Sequence, residues 1–503
     1  MKYISTRTKN FTPLNSAEVI LKGIADDGGL FVPESIPKIT LDDIKNLADK
    51  NYCQRAVFVL KKFLTDYSED ELFESCEVAY DWFDVSSKVP LTILIKDEEH
   101  KNSPVGVMEL YHGNTSAFKD MALQLLPQLM TRALKKVGET KEILILVATS
   151  GDTGKAALAG FADVPQTKIM VFYPADGVSK IQKLQMVTQA GKNVNVTAVN
   201  GNFDDCQNGV KNIFADEKIS AELAKSNVKL SSANSINWGR LVPQICYYVA
   251  SYAEYVSSGA IKLGDSVNVA VPTGNFGNIL AAYYAKRMGL PVKKLICASN
   301  MNHILTDFFK TGVYDRNREF YKTVTPSMDI LISSNLERLL YHETNGDTEK
   351  VKTFMKELNE KGKYKINSSL KNRLDKIFYA DYATEEETLS IIKEVFGNYN
   401  YIVDTHTAVA MMVTGKYRKN TRDMSPVMLA STASPFKFTN AVLKALGENI
   451  DGTNDFIQLD KLSQITKKAV PKNLAALGTA KVLHENICNK DEMAECVLKF
   501  AAQ

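Results

Sequence analysis

From about residue 140 onward the chain alternates short apolar runs with polar turns and amphipathic stretches. The run ILILVA at 143–148 is continuous and short, the mark of a strand buried on both faces. Further strands are predicted at 169–173, 194–199, 267–271, 295–298 and 427–430. Between them fall a small-residue helix at 155–161, a helical stretch around 178–190, a helix running through Met288 and another from about Phe438 to Leu446. Strands alternating with helices predict an α/β fold with a parallel, doubly wound core. Residues 340–400 break the rhythm: they are Lys/Glu-rich, helical, poor in aliphatic runs, and read as a surface insertion.

Residues 1–95 have a different texture and predict a separate, mostly helical N-terminal unit. Asn15 and Glu18 have capping-box spacing ahead of Val19, Ile20 and Leu21. Asp27, Gly28 and Gly29 form a turn signal before Leu30, Phe31 and Val32, with a stop at Pro33. Positions 41–85 alternate charges with leucines and aromatics, as surface helices do.

A length of 503 residues, 45% hydrophobic and 24% charged, is ordinary for a globular chain of two to four domains. The net charge is +3 with no basic cluster, so nucleic acid is not an expected partner. The seven cysteines (53, 76, 206, 246, 297, 488 and 496) are scattered and form no C-x-x-C. That pattern predicts reduced thiols in a cytoplasmic setting, and neither they nor the six histidines show metal-ligand spacing, so no metal is expected. No run approaches the roughly 18 apolar residues of a membrane span. The N-terminus, MKYISTRTKNFTP, has no apolar run for a signal peptide.

Chemistry concentrates at YHGNTSAFKD, 111–120. Small, turn-prone residues lead to Lys119, and Ala122, Leu125, Leu126, Leu129, Met130 and Ala133 then follow at helical spacing. A lysine at a helix start, partly desolvated, loses its proton readily and becomes a usable amine. Pro127, about two turns into that helix, is expected to kink or break it.

Three predicted strand ends carry polar turns, and open α/β sheets bind ligands at such ends. Gly274, Asn275, Phe276, Gly277 and Asn278 open a helix, with glycines for close approach and free N–H groups suited to phosphate. The turn is not G-x-G-x-x-G, which disfavours a dinucleotide. Ser150, Gly151, Asp152, Thr153 and Gly154 offer hydroxyls and N–H groups at a second helix start. Position 149 is threonine and Ala156 follows Lys155, so this is not a Walker A loop. Ser431 and Thr432 place a neutral hydroxyl at a third strand end, able to face an unprotonated pyridine nitrogen. A reactive lysine, a phosphate loop and such a hydroxyl are the parts a pyridoxal 5'-phosphate (PLP) site requires.

The chain resembles the threonine synthases, of the longer class with an extended N-terminal domain, within the fold type II (tryptophan-synthase-β-like) PLP enzymes. The resemblance rests on DGGLFVP (27–33), HGNTSAFKD (112–120), TSGDTG (149–154), NSINWGRL (234–241), PTGNFGN (272–278), SNLERLL (334–340), DTHTAVA (404–410) and STASPFKF (431–438), in that order. It implies two doubly wound parallel-sheet lobes plus the N-terminal domain of 1–95. The smaller lobe would span about 140–260, and the larger 96–139 and 261–503 with the helical insertion 340–400. It further implies that Lys119 is the Schiff-base lysine, that Gly274 to Asn278 hold the PLP phosphate, and that Thr432 meets the pyridine nitrogen. Ser150, Gly151, Asp152, Thr153, Asn234, Ser235, Asn237 and Arg240 match segments associated with the substrate's carboxylate and phosphate.

The implied reaction takes O-phospho-L-homoserine and water to L-threonine and phosphate. One alternative is a phospho-lyase that stops after phosphate loss and releases a 2-oxo acid; the other, from a different class, is a PLP- or metabolite-binding regulatory protein without turnover. A monomer or dimer is expected. Ser116, Ser434 and Thr405 depart from residues common in the family, and each bears on substrate tolerance. His112 is expected as a structural hydrogen-bonder, His406 as closing a turn, and Trp238 as packing.

Overall fold

A computed structural model of the chain describes residues 1–95, 103–149, 151–176 and 178–503. Two sheets face the region between them. The larger has six strands in the order Phe378–Tyr382, Val292–Ser299, Val267–Pro272, Val427–Ser431, Val105–Glu109 and Leu91–Leu94. Its first five strands run parallel, and Leu91–Leu94 closes one edge antiparallel. The smaller sheet is wholly parallel, in the order Asn486–Asn489, Val194–Asn200, Thr167–Pro174, Glu142–Ala148 and Val228–Ser231. Helices cover both faces of each sheet, so ILILVA is buried at every position.

Five strands of these two sheets escaped the sequence pattern, Val105–Glu109 and Val228–Ser231 among them. Asn486–Asn489 lies at the edge of the smaller sheet, not in the larger lobe to which 261–503 was assigned. Only Cys488 of NICN is buried there, so no apolar run marks the strand. Phe378–Tyr382, inside the expected surface insertion, is the other edge strand of the larger sheet. Its aromatic sequence, FYADY, suits a half-buried edge and lacks an aliphatic signal. Leu91–Leu94, inside the 1–95 unit, pairs with Val105–Glu109 and so belongs to the larger sheet by its hydrogen bonds.

The helix after Lys119 is broken, as Pro127 demands. Asp120–Leu123 and Leu125–Val137 are separate helices, which puts Pro127 in the first turn of the second, where its missing N–H forfeits no bond. The carbonyl of Leu123 therefore has no Pro127 N–H to accept. It turns against helix Asp152–Phe161, where a Cβ on Gly160 would stand 2.1 Å from the oxygen. Only glycine permits that approach, and it locks the lysine segment to the smaller lobe.

In the N-terminal region, helices Ser16–Lys22, Leu41–Asn46, Tyr52–Phe63 and Glu69–Tyr80 each begin with a capping box, led by Asn15, Thr40, Asn51 and Ser68. Trp238 anchors this region to the rest. Its ring, fully buried, meets Tyr3 at 5.3 Å, Phe63 at 5.6 Å and Tyr284 at 5.4 Å. Truncating such a residue to alanine costs about 3–5 kcal/mol. Among the described residues no helix is long and apolar enough to cross a membrane, and no cluster of His, Cys, Asp or Glu is arranged to hold a metal ion.

Candidate active site

Lys119 stands at the start of helix Asp120–Leu123, on a loop fastened from several sides. Phe118 donates its N–H to Thr432 O at 2.8 Å. Asp120 accepts from Thr115 N and Oγ1, each at 2.8 Å. Asn473 donates to Asn114 O at 2.7 Å and also bonds Ser116, which holds a left-handed backbone with φ +57°. The Lys119 amine lies 3.2 Å from Ser327 Oγ and 3.7 Å from Asp152 Oδ2. Burial is the main force on it. Arg240 and Lys437 push the same way, Asp152 opposes them, and the amine pKa comes down to about 8.

Asp152 is committed to cations. Its Oδ1 pairs with Lys437 Nζ at 2.7 Å and accepts from Gln182 Nε2 at 2.9 Å, while Ser327 Oγ donates to Oδ2 at 3.2 Å. Burial alone would raise this carboxyl. Lys437 first, then Lys119, reverse that and hold it well below the usual carboxylate range. Asp152 thus stays an anion, and a second anion on the same side chain is disfavoured. Within the cavity its carboxylate acts on Lys119 and Lys437. Neither Lys437 nor Ser327 was singled out from the sequence. The available signal was a lysine embedded in the apolar motif SPFKF, and in the structure that side chain is fully buried.

Ser327 is held in turn by a histidine. Its N–H donates to His406 Nε2 at 3.2 Å, so the His406 proton sits on Nδ1, 2.8 Å from Asp404 Oδ2. Asp404 also caps helix Thr405–Thr421. His406 therefore does more than close a turn, because it fixes the serine that touches Lys119.

The loop after Val267–Pro272 supplies donors without any acid. Phe276 has φ +63°, and its ring packs on Phe309 at 6.0 Å and Phe378 at 5.8 Å, contacts that offset the cost of that backbone. A Cβ on Gly274 would lie 2.8 Å from Ser327 O, so glycine lets the loop reach the segment that touches Lys119. Among the described residues, the N–H groups of Gly274, Asn275, Phe276 and Gly277 have no hydrogen-bond acceptor. Asn278 Oδ1 accepts from Tyr248 and, at 2.7 Å, from Tyr247, which leaves its buried Nδ2 without a partner. Unsatisfied donors at a helix start fit a phosphate. Ser431 spends its hydroxyl on Thr407 at 3.0 Å, whereas the hydroxyl of Thr432 has no partner among the described residues. The residues present thus fit PLP: an amine, an anion cradle and a free neutral hydroxyl.

All of these groups line one cavity of about 610 Å³, together with Thr153, Asn234, Ser235 and Arg240. Arg240 is buried, and burial brings its pKa down to about 10. It donates to Ala233 O at 2.8 Å and has no carboxylate partner among the described residues. A buried guanidinium without an acid is a site for an incoming anion.

Two of the expected substrate residues are not among those lining this cavity. Asn237 caps helix Trp238–Ser257 through Gly239 N at 2.9 Å and donates to Ile20 O and Ser232 O, each at 3.0 Å, so its polar atoms serve the fold. Gly151 backs onto Gln182 with φ +140° and gives its N–H to Thr149 Oγ1 at 3.0 Å. Ser150 lies outside the described residues. His112 sits between Asp84 and Glu109, at 2.8 Å from each. Burial alone would lower its pKa, but the two carboxylates carry it up to about 9.

Three family models match the chain. These are Threonine synthase N terminus over residues 2–80, Pyridoxal-phosphate dependent enzyme over 88–369, and Threonine synthase, C-terminal over 407–493. "Threonine synthase-like 1" of Homo sapiens is 41% identical over 440 residues, covering 86% of this chain. The match takes in 58% of that human protein, so the chain spans less than two thirds of its length. "Threonine synthase" of Saccharomyces cerevisiae is 36% identical over 493 residues, 93% of this chain and 94% of the relative. Among solved structures, PLP bound threonine synthase from Brucella melitensis superposes with a TM-score of 0.86 at 34% identity, covering 100% of both chains. The yeast threonine synthase structure does so with a TM-score of 0.87 at 33% identity, covering 99% of this chain and 98% of that one.

Proposed function

The chain belongs to the threonine synthase family of pyridoxal-phosphate-dependent enzymes, and from that premise we propose that it converts O-phospho-L-homoserine and water to L-threonine and phosphate. One observation carries the proposal. A single amine, brought down to about pKa 8, shares a cavity with two separate anion sites, the open donors of the Gly274–Asn278 turn and the unpaired guanidinium of Arg240. An enzyme that holds a phosphorylated cofactor and a phosphorylated amino acid at once needs two such sites.

In this reading Lys119, Gly274, Asn275, Phe276, Gly277, Asn278 and Thr432 hold PLP. When bound, PLP acts as an electron sink that takes up the charge left as protons leave the substrate's carbon atoms. Lys119 Nζ moves those protons. A group that both accepts and releases protons works best with a pKa near the operating pH, which burial, Arg240 and Lys437 bring about against Asp152. Ser327 Oγ and the Asp152 carboxylate steady the amine when it carries its extra proton. Arg240, with Asn234, grips the substrate phosphate and neutralises its charge as it leaves. The uncharged Thr432 hydroxyl leaves the pyridine nitrogen unprotonated. A reducing, cytoplasmic compartment fits the seven free cysteines.

The test is to incubate the PLP-loaded protein with O-phospho-L-homoserine and measure phosphate, threonine and 2-oxobutyrate. Threonine and phosphate in equal amounts are expected. Phosphate with 2-oxobutyrate would move the protein to the phospho-lyase reading, and no phosphate release would overturn both.

A further inference from the structure

The motif SNLERLL has no part in the chemistry described so far, yet it lies where three regions meet. Asn335 is fully buried. Its N–H donates to Asn275 O at 3.2 Å, and its side-chain Nδ2 donates to Asn275 O at 3.1 Å and to Ser235 Oγ at 3.0 Å. Its Oδ1 accepts from Arg338 Nη1 at 2.5 Å. Arg338, also fully buried, donates as well to Phe31 O at 2.8 Å, to Ile236 O at 2.5 Å and, at 3.4 Å, to Ser235 O. One arginine and one asparagine thereby join the N-terminal region, the turn after Val267–Pro272 and the segment of Asn234 and Ser235.

The direction of these bonds matters more than their number. A guanidinium can only donate, so Asn335 Oδ1 has to accept and its amide cannot flip. Nδ2 is then obliged to donate to Ser235 Oγ. Having accepted there, the Ser235 hydroxyl directs its own proton elsewhere, and it donates to nothing among the described residues. Ser235 lines the cavity, and its Cβ lies 3.4 Å from where a Cβ on Gly277 would be. Resting on the functional reading above, we propose that Arg338 and Asn335 are positioning residues. They set the hydrogen-bond polarity of Ser235 so that its hydroxyl is a fixed donor to a phosphate monoester held in the cavity.

That phosphate could belong to the cofactor or to the amino-acid substrate, and two binding measurements on the full chain separate them. PLP is titrated into unloaded protein and followed by absorbance. Inorganic phosphate is titrated calorimetrically into PLP-loaded protein, where the cofactor's own cradle is filled. Ser235→Ala is expected to weaken one of the two by about tenfold, the usual loss for a hydrogen bond to a charged group. The arm that responds names the phosphate. Asn335→Asp, nearly isosteric, would accept the serine proton and turn the donor away, so the same arm weakens by at least as much. Asn335→Ala leaves the hydroxyl free to rotate and weakens it less. In a Ser235→Ala background Asn335→Asp adds little, and Ser235→Thr, which keeps the hydroxyl, restores binding.

Wild-type affinity in both arms for Asn335→Asp would overturn the proposal. So would an Asn335→Asp loss that is undiminished in the Ser235→Ala background, because that points to plain charge repulsion or misfolding. If Asn335→Asp does not fold, the Asn335→Ala and Ser235→Ala cycle carries the same test, with additive losses overturning the idea. A wild type that binds phosphate as described but never turns over O-phospho-L-homoserine would sink the functional reading and leave this one standing.

Discussion

Two turns in this protein look alike in sequence and behave oppositely. Each follows a buried parallel strand, Glu142–Ala148 or Val267–Pro272, is rich in glycine, and opens a helix, Asp152–Phe161 or Gly277–Met288. Each contributes to the same cavity. A helix start favours negative charge, and both turns were assigned to anions on that ground. The first turn brings its own anion. Asp152 occupies it, two of its N–H groups already donate to Thr149 Oγ1 at 3.0 and 2.9 Å, and the net result is a cation site holding Lys437 and Lys119. The second has no acid, and its donors stay open. A helix N-terminus is satisfied either by a first-turn side chain or by a ligand, and which of these holds decides the sign of the charge it recruits next.

The largest expected effect tests the amine between the two turns. Lys119→Ala should lower kcat by about 10^4-fold, the upper range for loss of an acid–base group. Borohydride reduction of the PLP-loaded wild type, followed by peptide mapping, should place the adduct on Lys119. An adduct on any other lysine would undo the comparison, because neither turn would then face the reacting group.

Next in size is Asp152→Asn, which strands two buried cations. Removing one partner of a buried pair costs about 3–5 kcal/mol, readable by denaturant unfolding. The same variant reports on the amine. PLP capture needs the neutral form, so its rate in wild type should rise with pH through about 8. Asp152 raises that value, hence in Asp152→Asn the inflection should fall below it. The linked stability has a definite sign. Lys119 has a folded pKa of about 8 against an ordinary 10.5, so the unfolded chain binds more protons in that window. The unloaded protein should therefore gain stability as pH rises across it, and Lys119→Met should flatten that slope.

Asn278→Asp makes the second turn imitate the first. A carboxylate in place of the orphaned amide should weaken PLP binding by about 100-fold, the loss of a charge-assisted bond plus repulsion, measured by titration. Unchanged PLP affinity would mean that the cradle is not the phosphate site. The smallest effect belongs to Asn237→Ala. A lost helix cap should cost about 1 kcal/mol in unfolding free energy with an unchanged KM for O-phospho-L-homoserine. A large KM change with intact stability would return Asn237 to the substrate site.

What could be read in the chain without coordinates was whatever is written locally. Short apolar runs announced parallel strands because a strand covered on both faces has no polar side to show. Capping spacing marked the first helix at Asn15, and Pro127 marked the break after Lys119, since both act within a turn or two of backbone. The ordered motifs pointed to the family and to Lys119. Edge strands such as Asn486–Asn489 stayed hidden, because a strand half in water needs no apolar run. Folding alone decided which charges meet. Ser327 comes to Lys119 from 208 residues away, and Lys437 comes to Thr115 from 322. Asn237, three positions from Arg240, turns into the fold while Arg240 faces the cavity. Electrostatic energy depends on distance through space and on exclusion of water, and neither is encoded in sequence separation. For that reason the alternation of strands and helices was legible from the residues, whereas the sign of the charge at each turn was settled only when the sheets closed around the cavity.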